Sequence, residues 1–201
     1  MAAGSNGWNH NIHYYPEVLA AVPAGARRAL DVGCGTGLLA RELRGRVPYV
    51  MGLDADEPTL TAARAADPDG RVDYVLGDFA AAALEPGSFD FISCVAALHH
   101  MEATPALGQM SALLRPGGRL LIVGLARSRN IGDLMADAAG AIVHRRELLR
   151  RQYTEVTAPT VWPPPVTYSQ MRRIAGQVLP GARYRRRVLF RYTLSWQKPA
   201  A

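Results

Sequence analysis

Three glycines, Gly33, Gly35 and Gly37, alternate with other residues in the stretch ALDVGCGTGLLA, Ala29 to Ala40, and a carboxylate, Asp31, stands two residues before the first. Glycine at this spacing lets a backbone turn tightly and lets a ligand approach without meeting a Cβ atom. Several nucleotide-binding loops share the device, so the neighbouring residues decide between them. A dinucleotide fingerprint asks for Gly or Ala three residues after its second glycine, and counting from Gly35 that place holds Leu38. No Gly-Lys-Ser or Gly-Lys-Thr follows to reach phosphates and magnesium, which excludes a P-loop. Asp31 would oppose a pyrophosphate seated over the loop and would suit a cationic ligand.

Two more carboxylates extend the pattern. Asp54 ends the next apolar run, where it can accept both hydroxyls of a ribose, and Asp78 ends the one after, where it could accept from an adenine amino group with Phe79 flanking the ring. Each aspartate taken singly reads equally well as a helix cap or a solvated turn residue; three at successive strand ends are less readily explained that way. Asp56, with Pro58 behind it, reads as an N-cap. A ligand that needs glycine, carries positive charge and contains no phosphate is S-adenosylmethionine, with its ammonium and sulfonium groups.

His99 and His100 follow a further apolar run and face the mouth of the expected pocket. An imidazole with a pKa near 6.5 could take a proton from a phenol, hydroxyl or amine, so His99 is the candidate catalytic residue; the alternative is a hydrogen-bonded histidine at a helix start. The two side chains are expected to diverge, and with no acidic or cysteine partner at zinc-like spacing no metal site is expected. Ahead of the first long strand, WNHNIHYYP gathers Trp8, His10, His13, Tyr14 and Tyr15. Such an arm can close over a ligand as a lid, or its aromatic rings can simply pack it onto the sheet.

The elements that must position these groups alternate regularly. YYPEVLAAVP predicts a short helix with Pro16 in its first turn, and ARRALDVG a strand. A helix then carries Leu38, Leu39 and Leu43 as far as Gly45. VPYVMGLD, RVDYVLGD and FDFISCVA predict strands, PTLTAARAA a helix between the first two, and PALGQMSALL a helix with Leu107, Met110, Leu113 and Leu114 on one face. The turn RPGG feeds the strand RLLIVGL. Continuous apolar strands separated by helices predict a parallel sheet covered on both faces. Beyond Gly124 come a helix in DLMADAAGAIVHRRELLRR, a proline-rich connector in VTAPTVWPPPV, a helix in YSQMRRIAGQVL and a hairpin in ARYRRRVLFRYTLSWQK. Met135, His144, Trp162 and Tyr168 are candidate substrate-lining residues there, with core packing as the alternative for each.

The ordered set Ala29 to Ala40, GLDAD, LGDF, FDFISCVAALHHM and LLRPGGRLLIVGL resembles the motifs of class I S-adenosylmethionine-dependent methyltransferases, especially the small-molecule type called type 11, over Arg27 to Leu125. The resemblance implies an α/β, Rossmann-like three-layer sandwich with a seven-stranded, mostly parallel sheet of order 3-2-1-4-5-7-6, strand seven antiparallel. It implies that Asp31 serves the methionine amine, directly or through water. Gly33, Cys34 and Gly35 then line the cofactor, Asp54 holds the ribose, and Asp78 with Phe79 holds adenine; Ala55, Val95 and Tyr14 are counted among the cofactor contacts. S-adenosylhomocysteine would be the product. The chain divides accordingly into an arm over 1–26, a cofactor-binding core over 27–125, substrate-side helices and loop over 126–181 and a hairpin over 182–198, within one methyltransferase domain.

Composition sets the remaining bounds. At 201 residues the chain suits one domain. No apolar run approaches the roughly 18 residues of a membrane span, and the N-terminus does not read as a signal peptide, so no membrane partner is expected. With only Cys34 and Cys94, a reduced cytoplasmic setting is expected. The net charge of +6 comes almost entirely from arginine, Lys198 being the only lysine, and concentrates late, in HRRELLRR and ARYRRRVLFRY. That leaves an RNA-directed methyltransferase as an alternative to one acting on an O, N or C nucleophile of a small organic molecule. Against RNA, the fourth strand carries Ser93-Cys94-Val95-Ala96 where enzymes acting on exocyclic base amines resemble one another in an Asn or Asp followed by two prolines. A catalytically silent cofactor-binding protein is the other alternative, and oligomeric state is open.

Overall fold

A computed structural model describes residues 7–154 and 161–200. The arm begins with β1 (Gly7–Trp8) and a 3-10 turn, then α1 (Tyr15–Ala21), whose first turn holds Pro16. β2 (Arg28–Val32), α2 (Leu38–Leu43), β3 (Tyr49–Asp54), α3 (Glu57–Ala65), β4 (Asp73–Leu76) and β5 (Phe89–Val95) follow. Next come α4 (Ala103–Leu113), β6 (Leu114–Gly124), α5 (Ile131–Leu148), β7 (Gln152–Tyr153), α6 (Tyr168–Val178), β8 (Arg183–Arg186) and β9 (Tyr192–Gln197).

The main sheet runs β4-β3-β2-β5-β6-β9-β8. Counted along the chain, its strands lie in the order 3-2-1-4-5-7-6. β2 to β6 pair in parallel, and β9 is antiparallel to both β6 and β8. The central strands are apolar on both faces because both faces are covered. Leu30, Val32, Leu53, Ile92 and Ile122 belong to a core built with α4 and α6, while Ala29, Val50, Phe91 and Val123 belong to one built with α1 and α2. Asp56 accepts from the Thr59 N–H at 3.0 Å and caps α3, as its position predicts.

Several local expectations need correction. α4 starts at Ala103, two residues ahead of Pro105, with Glu102 in the N-cap position and making no side-chain cap, so Pro105 falls in the first turn where a missing N–H costs nothing. Leu114 and the RPGG segment belong to β6 rather than to a helix face and a turn. Leu114 pairs with Phe89, the register shifts before Phe91, and Gly117 takes a φ of +79°, so the expected turn is a bulge within a strand. The hairpin turns at Val188–Arg191, where Leu189 and Phe190 both have positive φ (56° and 58°) and the Arg191 N–H donates to the Val188 carbonyl at 3.3 Å. Two positive-φ central residues are what a tight hairpin of the primed type needs, yet such turns favour Asn and Gly. The arm also does more than pack: β1 pairs in parallel with β7, Gly7 opposite Gln152 and Trp8 opposite Tyr153.

Candidate functional site

The carboxyl ends of β2, β3, β4 and β5 open on a cavity of about 510 Å³, within the roughly 300–1,000 Å³ of ligand pockets. β2 has β3 on one side and β5 on the other. The chain's connections therefore diverge here, which is where open α/β sheets place ligands. The loop after β2 contributes Gly33, Cys34, Gly35 and Thr36, the end of β3 contributes Asp54 and Ala55, the segment after β4 contributes Asp78 and Phe79, and β5 ends in Val95 on the wall.

Asp54 organises this mouth. One oxygen accepts from the Gly35 N–H at 2.7 Å and the other from the Asp56 N–H at 3.0 Å, so the carboxylate fixes the glycine loop against β3 while each oxygen keeps a further lone-pair site. Asp78 accepts from the Ala80 N–H at 2.9 Å, which makes it both a cap and a wall residue. The alternation of glycines has a more internal cause than ligand approach alone. All three glycines have positive φ, and a Cβ on Gly33 would lie 2.2 Å from that of Ala97 while one on Gly37 would lie 2.2 Å from the Tyr74 hydroxyl. A Cβ on Gly35, by contrast, would meet nothing closer than 3.9 Å. Of the three, only the middle glycine has open space where its Cβ would stand.

Asp31 lies behind the wall rather than in it. It is buried, accepts from the Ser93 hydroxyl at 2.7 Å, and burial pushes its pKa from 3.8 up to about 7, with Ser93 pulling down and the charge of Asp54 adding to the rise. A carboxylate held so near neutrality, with a single hydroxyl partner among the described residues, is suited to answer a nearby cation. Cys34 is on the wall and Cys94 is buried in the sheet; burial raises both thiols, Cys94 to about 12, which keeps them protonated.

The structure moves two expected residues by one position each. Tyr14 is outside the cavity, its ring buried and its hydroxyl donating to the Val188 carbonyl at 2.7 Å, while Tyr15 forms the wall. The 3-10 turn that ends at Tyr14 sets this phase. His99 is likewise buried and off the wall, its Nδ1 without a hydrogen-bond partner among the described residues, whereas His100 lines the cavity. The two rings do not diverge: they sit 4.0 Å apart in a 3-10 turn over Leu98–His100. Burial lowers the pKa of His99 to about 4, with His100 and Arg191 adding to the fall, and lowers that of His100 against the pull of Asp54.

The late segment contributes less wall than expected. Met135 and Trp162 are solvent-exposed, Tyr168 is buried with its hydroxyl donating to the Phe190 carbonyl at 3.1 Å, and His144 packs on the arm, 2.9 Å from His10. The arm supplies Asn9, Asn11, Ile12 and Tyr15, joined by Thr154 just past β7. Sequence reading missed the asparagines beside the more conspicuous rings. Asn9 accepts from the N–H groups of Asn11 and Ile12, both at 2.9 Å, the local turn that asparagine side chains favour. Asn11 in turn accepts from Arg191 at 2.8 Å. Arg191 is buried without a carboxylate partner among the described residues, and burial pulls its pKa down to about 10. Its charge helps hold the half-buried His10, lowered to about 4 chiefly by desolvation, in the neutral form.

A family profile described as a methyltransferase domain matches residues 30–122. An uncharacterized methyltransferase of Mycobacterium tuberculosis is 36% identical over 193 residues, 96% of this chain and 98% of that protein. A ubiquinone biosynthesis O-methyltransferase of Thiobacillus denitrificans is 35% identical over 125 residues, 59% of this chain and 52% of that protein. A crystal structure of an S-adenosylmethionine-dependent methyltransferase from Mesorhizobium loti is similar with a TM-score of 0.53 at 30% identity, covering 67% of this chain and 58% of that one.

Proposed function

Since the chain belongs to the class I S-adenosylmethionine-dependent methyltransferases, we propose that it methylates a small organic molecule and that the cavity at the ends of β2 to β5 is where it does so. The observation that carries this reading is the cradle in which Asp54 fixes the Gly35 N–H at 2.7 Å beside open space, above a buried Asp31 held near neutrality. A pocket of carboxylates, glycine and Phe79 with no cation on its wall among the described residues fits a cationic nucleoside and would repel a diphosphate.

S-adenosylmethionine, when bound, supplies a methyl group on a sulfonium that is already a good leaving group. The residues suited to hold it are Asp54 and Ala55 at the ribose, Asp78 and Phe79 at the adenine, Gly33, Cys34, Gly35 and Val95 along its length, and Asp31 toward its ammonium. Positioning is then most of what remains for the protein to supply. His100 is the imidazole on the wall, and its lowered pKa keeps it neutral and able to accept a proton near pH 7. His99, packed against it at 4.0 Å, serves as a positioning residue. The arm, through Asn9, Asn11, Ile12 and Tyr15, covers the side where an acceptor would enter.

The relative from ubiquinone biosynthesis supports a small acceptor methylated on oxygen. An RNA acceptor has less support, because three arginines of the hairpin are taken up within the fold: Arg186 pairs with Asp137, Arg187 with Glu17, and Arg191 is buried. Calorimetry with S-adenosylmethionine, followed by incubation with methyl-labelled cofactor and a panel of phenols, amines and acids, tests the reading. Cofactor binding with methyl transfer to one of these classes is the expected outcome, and transfer to RNA alone would overturn it.

A further inference from the structure

α5 is built inside out. A surface helix normally turns its apolar stripe to the core, but here the inward side is made mostly of Asp133, Asp137, Gly140, His144 and Glu147, with Ala136 and Val143 as its half-buried apolar members. Asp133 closes the capping box with Asn130, Asp137 accepts from Ser128 at 2.5 Å and pairs with Arg186, and His144 meets His10. Gly140 packs on the backbone of Leu189, where an added Cβ would come within 3.0 Å. The apolar residues Ile131, Leu134, Met135, Ala138, Ile142 and Leu149 recur at steps of three, four and seven along the other side. The large ones among them are 61 to 83% exposed, and no described residue packs over them.

The charges on this helix are segregated as well. Its acidic side chains face inward and are engaged, while Arg145 and Arg146 at its C-terminal end, Arg150 just beyond and Arg129 before its start are exposed. An outward face of apolar groups and arginines, with the carboxylates of this stretch, Asp133, Asp137 and Glu147, all turned inward, matches an anionic lipid surface better than a second copy of itself. A second copy would bring its own arginines to a face that offers no acid to receive them.

We propose that α5 docks this protein in-plane on anionic membranes, its apolar stripe entering the headgroup boundary and its arginines meeting lipid phosphates. The helix is about 27 Å long at 1.5 Å per residue, and docking of this kind needs no span: no helix of the described residues is long and apolar enough to cross a membrane. Arginine suits the edge of such a stripe because its aliphatic stem can lie along apolar surface while the guanidinium stays at the headgroups. The expectation of no membrane partner rested on the missing span, and a span is not what this helix would use.

Flotation of the full chain with vesicles of phosphatidylcholine containing 30% phosphatidylglycerol tests the proposal. Pure phosphatidylcholine vesicles, and both kinds at raised salt, serve as comparisons. The protein should float with the anionic vesicles, and far less with neutral ones or at high salt. Leu134→Glu with Ile142→Glu should lower the partition at least tenfold; Arg145→Gln with Arg146→Gln should lower it about fivefold per arginine. All four positions are exposed, so unchanged thermal midpoints and unchanged S-adenosylmethionine affinity will show that the variants are folded. Absence of flotation, or equal flotation of wild type and both variants, would overturn the proposal. So would a dimer in sedimentation analysis that Leu134→Glu with Ile142→Glu dissolves while vesicles are ignored. None of these outcomes depends on the identity of the methyl acceptor.

Discussion

A carboxylate buried beside a cationic ligand must titrate with that ligand, and in the proposed function Asp31 is the group that would carry this coupling. Without ligand its pKa stands at about 7 against 3.8 for the unperturbed group, so the native state holds a proton that the unfolded chain has lost. Stability should fall as pH rises from about 4 to 7 and level off above. A bound ammonium favours the ionised form and reverses the preference. S-adenosylmethionine affinity should rise with pH by up to about tenfold per unit below 7, with proton release measurable by calorimetry in buffers of different ionisation heat. Asp31→Asn should flatten the profile and weaken binding. Ser93→Ala removes the hydroxyl that lowers the pKa of Asp31 and should move the profile to higher pH. Asp54→Ala should weaken cofactor binding about 10- to 100-fold, the worth of one charge-assisted hydrogen bond, as titration would show. Gly33→Ala should cost about 1–3 kcal/mol from its left-handed backbone alone, read as a lower unfolding midpoint. At this scale the sequence was most legible where a residue's place on the cavity wall follows from the end of a strand, as at Asp54 and Asp78. It was least legible where a 3-10 turn decides which of two neighbours faces inward, as with Tyr14 against Tyr15 and His99 against His100.

Between elements, the cavity depends on how the arm is fastened. Tyr14 reaches the Val188 carbonyl, Glu17 pairs with Arg187, and Asn11 accepts from Arg191, so the hairpin joining β8 to β9 grips the segment whose asparagines line the pocket. Tyr14→Phe removes one of these ties, worth about 1 kcal/mol. It should raise the KM for S-adenosylmethionine several-fold while leaving kcat within twofold, a split that steady-state kinetics would read. His100→Gln should do the reverse, lowering kcat with little change in cofactor affinity. The parallel strands were readable because a buried strand is a continuous apolar run whatever its neighbours. The pairing of β1 with β7 joins residues about 145 positions apart, and two-residue strands leave no periodicity to find. The hairpin turn was hidden for a different reason, since Leu189 and Phe190 occupy positions where glycine or asparagine would have announced it.

On the scale of the whole molecule, ligand binding and folding share one free energy. S-adenosylmethionine at about 100 times its Kd should stabilise the fold by about 2.7 kcal/mol. For a domain near 200 residues that is about 5–10 °C in unfolding midpoint, and NADH at the same concentration should give no shift. The seven-strand order followed from the resemblance of the motifs together with the short spacer before the last strand, which leaves no room for a crossover helix. The outward apolar face of α5 was not legible, because a sequence reports which side of a helix is apolar but not which way that side will point. The grip of the hairpin on the arm has a kinetic corollary. β2 to β5 can assemble from segments near one another in the chain, whereas the clasp brings together residues some 170 to 180 positions apart, and contacts of such separation form late. During refolding, secondary structure should therefore recover before the protein can capture its nucleoside, and the interval between the two signals would time the meeting of the chain's distant segments.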